Sequence, residues 1–236
     1  MVLLSSFCEE DYAVTRYVVE LVNTLTNVAY VALALRAMRR GHVDFMSASL
    51  FALGVCSFVF HATMRHATQF GDEIAMLGLM WSMLRGMLRA PDPDSLVAHI
   101  AGSVLAVGVP ILSAFYVWSG ELVYHVVVFL SMLALLISWS HWLMVWAPLE
   151  CDARERRAWQ WHTWRAVGIC LVGYAAWLAD LTYCEELRVT RAWMGLPWAW
   201  LLELHGWWHV MTAIGISEFM DVVRDMDRGL KKEKTK

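Results

Sequence analysis

Apolar residues run along this chain in seven stretches, at about 18–37, 46–65, 70–90, 96–116, 121–146, 163–183 and 198–220. Each is near the roughly 20 residues that a helix needs to cross about 30 Å of hydrocarbon. None shows the alternation over about ten residues that marks a membrane β-strand. The pattern predicts an all-α membrane protein, a seven-transmembrane helix bundle with short loops. It reads as one domain over 1–236, without a repeat or a linker rich in Pro, Ser or Gly. Residues 1–17 form an acidic leading segment. Residues 221–236 form a charged tail that is expected to fray. The longest polar loop is expected at about 147–162, as a solvated turn.

Composition supports the membrane assignment. Hydrophobic residues make up 59% and charged residues 17%, against about 45–50% and about 25% in soluble domains. No cleavable signal peptide is expected, because no basic segment precedes an apolar core at the N-terminus. The net charge of -3 says little; its distribution says more. Lys and Arg gather on the cytosolic side of membrane proteins. With a luminal N-terminus, only Arg16, Arg65, Arg188 and Arg191 of the 19 Lys and Arg fall on the luminal side. The N-terminus is therefore expected in the lumen and the C-terminus in the cytosol, which requires an odd number of spans. Membrane lipids are the expected surroundings, and no nucleic-acid partner is expected. Lys232, Lys234 and Lys236 read either as a dilysine retrieval signal of the endoplasmic reticulum or as a generic basic flank.

In this topology Cys56 and Cys170 lie within spans and Cys151 is cytosolic. Cys8 and Cys184 fall in luminal segments, an oxidising compartment. They read either as a disulfide or as two unpaired thiols.

Ionisable groups inside a span cost about 2.5–3.5 kcal/mol each on insertion scales, so they are functional candidates. Those here are Glu20, His61, Asp72, Glu73, Asp180, Glu203, His205, His209 and Glu218. His205 and His209 lie four apart and share a helix face, as do Ser57 and His61. The expected directions of the spans bring Glu20, His61, Asp72 and the His205–His209 pair to one depth in the luminal half. A lone buried His reads as a hydrogen-bonded core residue. Three at one depth read as zinc ligands, with a fourth position left for water whose pKa falls towards about 7. Asp72 is placed to take the water proton and pass it to a leaving amine. Ser57 is placed to donate to a developing oxyanion or to hold the water. Glu73 points away from Asp72 and reads as structural, or as an orienter of a His. His42, His66, His99, His125, His141 and His162 have no ligand pattern. Glu9, Glu10, Asp11 and Glu20 suit a hard cation such as calcium, or form a solvated acidic tail. The residues point to a metal-dependent hydrolase working inside a membrane.

The same residues resemble a known family. Phe7-Cys8-Glu9-Glu10-Asp11-Tyr12, followed by Thr15, Tyr17, Glu20, Asn23, Thr24 and Asn27, is similar to the N-terminal signature of the alkaline ceramidases. Ser57 and His61, Asp72-Glu73, Tyr183-Cys184-Glu185 with Leu187-Arg188, and His205-Gly206-Trp207-Trp208-His209 follow in the family's order. The Ser, His and Asp positions alone occur across a wider superfamily that includes the progestin and adiponectin receptors. The resemblance implies seven helices, zinc on His61, His205 and His209, and roles for Ser57 and Asp72 in amide hydrolysis. It also implies calcium on Glu9, Asp11, Glu20 and the backbone oxygen of Phe7, and it favours the Cys8–Cys184 bridge. The chain departs from the family at Ser6, usually acidic, at Phe7, usually Trp, and at Asp11, usually Asn. One carboxylate is lost and one gained.

The expected activity is hydrolysis of ceramide, with dihydroceramide and phytoceramide as variants, in the endoplasmic reticulum or Golgi. The alternative is a receptor-like member of the superfamily with incidental hydrolase activity. A proton-relaying lipid or ion carrier and a hydrolase of another lipid are further readings. The 14 Trp and 14 Met suit a lipid cavity, interfacial anchors and helix packing.

Overall fold

The computed structural model describes residues 7–92, 94–149 and 151–234, with side chains up to 230. Ser6, Thr235 and Lys236 lie outside the described residues, as do the side chains of Lys232 and Lys234. Every regular element among the described residues is helical. In order they are α1 (Leu21–Thr26), α2 (Val28–Arg39), α3 (Phe45–Thr63), α4 (His66–Arg89), α5 (Leu96–Ser119), α6 (Leu122–Val145), α7 (Ala153–Thr182), α8 (Cys184–Met194) and α9 (Leu204–Lys234). A 3₁₀ turn, Trp198–Leu202, leads into α9.

Five segments are long and apolar enough to cross a membrane: α1 with α2 (Leu21–Arg39), α3, α5, α6 and α7. This makes the chain an integral membrane protein by helix length and composition. On α5, Val97, Ile100, Val104, Val107 and Ile111 form an exposed apolar stripe at helical spacing, a face that belongs against hydrocarbon. Helices α4 and α9 are also long, at 24 and 31 residues. They are less apolar because they carry Asp72, Glu73, Arg85 and Arg89 in one, and Glu218, Asp221, Arg224 and Asp225 in the other.

Three local expectations change. Residues 153–162 are the first turns of α7, not a loop. The tail does not fray at 221, since α9 continues to Lys234. Phe219, Met220, Val222, Val223, Met226 and Leu230 recur at helical spacing and are buried, so burial of one face holds this charged stretch helical. The segment after the sixth apolar stretch contains a helix, α8.

The chain forms two compact units, one from residues 7–72 and 166–216 and the other from 73–165 and 217–234. In the first, α1 and α2 pack on α3, and α8 packs on the 3₁₀ turn. Gly54 permits the approach of α2 to α3: a Cβ there would lie 2.8 Å from Val31 Cγ2. Asp44 caps α3 by accepting from the Ser47 amide at 2.8 Å. In the second unit α5 packs on α6, and Met83, Met87, Met132, Met144, Met220 and Met226 are buried. Gln160 Nε2 donates to the Met144 carbonyl at 2.8 Å, and the Tyr116 hydroxyl donates to the Glu73 carboxylate.

Candidate metal centre

All the sequence-derived candidates except Glu73 and Glu218 lie in the first unit, with Asp72 as its last residue before α7 resumes it. Ser57 and His61 occupy successive turns of α3, and both are buried. His205 and His209 occupy the first two turns of α9 and are also buried. The structure brings His61, His205 and His209 together. One potential ligand atom from each lies within 4.8 Å of the others. Their ring centroids are 5.2 Å apart for His61 and His205, 4.8 Å for His61 and His209, and 4.5 Å for His205 and His209.

Hydrogen bonds decide which nitrogens are available. His61 Nδ1 is 2.7 Å from Glu20 Oε2, with both side chains only 1% exposed. An ionised carboxylate only accepts, so with Glu20 ionised Nδ1 carries the proton and Nε2 keeps its lone pair. Asn23 Nδ2 donates to the same Glu20 oxygen at 3.1 Å. The Glu20 amide donates to the His61 carbonyl at 3.2 Å. Backbone and side chain thus dock Glu20 on His61. His209 Nδ1 lies 3.0 Å from Thr26 Oγ1. His205 Nδ1 is buried without a hydrogen-bond partner. An orphaned imidazole nitrogen beside two imidazoles whose Nδ1 atoms have hydrogen-bond partners is a donor set that fits a metal ion. The three residues offer the neutral nitrogen ligands that zinc takes.

The N-terminal segment closes over these residues. The Phe7 ring sits 4.2 Å from the His205 ring and 5.0 Å from the His61 ring, centroid to centroid. Tyr12, with φ 55°, turns the chain so that its amide donates to the Val19 carbonyl at 2.7 Å. Glu9 is buried, and its two oxygens accept from the Val22 and Asn23 amides at 2.7 and 2.8 Å. It satisfies the otherwise unpaired first-turn amides of α1. Burial pushes the Glu9 carboxyl up to about 7, against these two hydrogen bonds, which favour the ionised form. Asp11 is exposed. Glu9 and Glu20 therefore have structural partners that the calcium reading did not foresee, although each carboxylate oxygen keeps a second lone pair. Among the described residues, Glu9, Asp11 and Glu20 do not form a second close ligand group beside the three histidines.

Three residues without an assigned role in the sequence complete the frame. Asp180, fully buried on α7, accepts from the Cys8 amide at 3.1 Å and from the His205 amide at 3.3 Å. One carboxylate thus holds both the leading segment and the start of α9. Arg191 on α8 is buried, pairs with Glu203 and donates to the Cys8 carbonyl at 2.8 Å. Thr26 is the third. The insertion cost of a charge flagged Asp180 in the sequence, Arg191 entered only as a loop charge, and Thr26 carried no signal at all. Cys8 and Cys184 lie with Cα atoms 5.2 Å apart, within the reach of a disulfide. Asp72 is half-buried in the second turn of α4. Glu73 belongs to the other unit, where its carboxylate accepts from the Tyr116 hydroxyl.

Comparison with known proteins agrees in kind. The sequence model of the family described as Ceramidase matches residues 5–236. The chain is similar to alkaline ceramidase YPC1 of Saccharomyces cerevisiae, at 26% identity over 89% of this chain and 72% of the relative. It is similar to alkaline ceramidase 3 of Mus musculus, at 23% identity over 89% of this chain and 78% of the relative. An alkaline ceramidase of Arabidopsis thaliana is 25% identical over 94% of this chain and 84% of its own length.

Proposed function

This chain belongs to the ceramidase family, and we propose that it hydrolyses the amide bond of ceramide within the membrane, releasing a sphingoid base and a free fatty acid. The observation that carries the reading is the meeting of His61, His205 and His209, buried and from two helices far apart in sequence, in a chain with these relatives. His61, His205 and His209 hold zinc in this reading. When bound, zinc supplies Lewis acidity, which polarises a carbonyl and makes water nucleophilic near neutral pH.

The remaining roles fall to the chain. Asp72 takes the proton from the attacking water and delivers it to the departing nitrogen, so the base leaves as an amine. Ser57 donates to the carbonyl oxygen as negative charge develops there. Phe7 covers the imidazoles and excludes bulk water. The substrate's two chains stay among apolar helices while its amide reaches the histidines. In the same reading α4 and α9 also span, making a seven-transmembrane bundle with a luminal N-terminus and a cytosolic C-terminus. Cys8 and Cys184 form a disulfide, and calcium binds Glu9, Asp11, Glu20 and the Phe7 carbonyl. The protein resides in the endoplasmic reticulum or Golgi. A receptor-like role is not favoured, because the similar proteins carry the name ceramidase.

The test is sphingoid base release from a panel of ceramide, dihydroceramide and phytoceramide, using detergent-purified wild type beside Asp72→Asn. Release by the wild type alone supports the reading and ranks the substrates. No release by a folded, zinc-loaded wild type overturns it.

A further inference from the structure

The three imidazoles are not held alike. An ionised Glu20 can only accept, and it then fixes the His61 tautomer by itself. The partner of His209 is a neutral hydroxyl, which can donate or accept. Only one direction leaves His209 able to bind a metal through Nε2. If Thr26 donated its proton to His209 Nδ1, Nε2 would carry the imidazole proton and have no lone pair to offer.

The surroundings of Thr26 select the direction. Its Oγ1 also lies 3.0 Å from the Asn23 carbonyl, which can only accept. The Asn27 backbone amide donates to the Thr24 carbonyl instead of to Asn23, and the Asn27 side-chain amide takes one lone pair of the Asn23 carbonyl at 2.9 Å, which leaves the other for Thr26. The hydroxyl proton thus goes to Asn23, and its lone pair faces His209 Nδ1–H at 3.0 Å. Gly206, between the two histidines on α9, allows this approach. A Cβ there would lie 3.1 Å from Thr26 Cγ2.

We infer that Thr26 is a positioning residue of the metal centre, fixing His209 as the Nδ1-protonated tautomer through the relay from His209 to Thr26 to the Asn23 carbonyl. The assignment rests on the zinc reading above. Partners of this kind change metal affinity by about 10–100-fold.

Two substitutions separate the hydroxyl of Thr26 from its methyl group. Thr26→Val keeps the methyl against Gly206 and removes the hydroxyl. Thr26→Ser does the reverse. Zinc affinity is measured by chelator competition on the purified protein, with the absorption spectrum of the cobalt-substituted form as the second readout. The expected result is a weakening of about 10-fold or more in Thr26→Val with an altered cobalt spectrum, and near wild-type values in Thr26→Ser. Equal affinity and spectrum in wild type and Thr26→Val overturn the role of Thr26 and leave the zinc reading standing. A wild type that binds no zinc overturns both. Nitrogen-15 histidine spectra of the zinc-loaded wild type give a reading that does not depend on whether Thr26→Val folds. They must show His209 protonated at Nδ1 and ligating through Nε2, and the opposite tautomer overturns the assignment.

Discussion

The unit built from 7–72 and 166–216 and the unit built from 73–165 and 217–234 follow different rules of packing. The first buries Glu9, Glu20, Asn23, Asn27, His61, Asp180, Arg191, Glu203, His205 and His209. The second buries mainly methionine, leucine and alanine, with a few hydroxyls, His125 and Arg224. Polar groups are expensive in a low-dielectric interior unless each finds a partner. The first unit meets this cost with connected pairs, in which Glu9, Glu20, Asp180 and Arg191 each satisfy backbone or imidazole groups. The second avoids it by filling space with flexible thioethers. The contrast teaches that the first unit is specified by hydrogen-bond complementarity and the second by shape and volume. They should therefore fail differently when mutated.

The largest expected effect is at the ligands. His209→Ala removes one of three nitrogens and should abolish stoichiometric zinc and sphingoid base release together, read by metal analysis and product assay. Zinc retained at full stoichiometry would break the comparison at its centre. Asp72→Asn comes next. It should keep zinc while slowing hydrolysis by about 10²–10⁴-fold, and unchanged turnover would remove Asp72 from proton transfer.

Asp180→Ala tests the frame rather than the chemistry. It leaves the buried Cys8 and His205 amides without their acceptor, at a cost of about 1–3 kcal/mol for each unsatisfied group. A thermal melt in detergent should show the loss, and an unchanged melting temperature would mean that water replaces the carboxylate. The smallest effect belongs to the second unit. Met144→Leu conserves volume in a methionine-filled core and should cost less than about 1.5 kcal/mol with no change in zinc affinity. A change in zinc affinity there would show that the site depends on packing far from its ligands in sequence.

Much of this was legible in the sequence because hydrocarbon enforces long, apolar helices. The segments at 46–65, 96–116 and 121–146 correspond to α3, α5 and α6 for that reason. His61, His205 and His209 were legible because an imidazole in an apolar stretch is costly, and a spacing of four puts two on one face. The helical course of 221–234 was hidden by its charges, since a total of charged residues obscures the apolar repeat from Phe219 to Leu230. Glu9 was legible as an acid near a membrane, but not as a cap of α1. Its partners are the Val22 and Asn23 amides, 13 and 14 residues on, and no local rule pairs them.

By itself the sequence determined the all-helical membrane class, the identity of the candidate ligands and the family. These depend on composition and on periodicity within single segments, which act locally along the chain. Only the tertiary structure decided which nitrogen of His61 and of His209 meets a hydrogen-bond partner, that His205 Nδ1 is orphaned, and that Asp180 ties Cys8 to His205 across 172 and 25 residues of sequence. Those are relations between groups distant along the chain, and direction and distance in space exist only once it has folded.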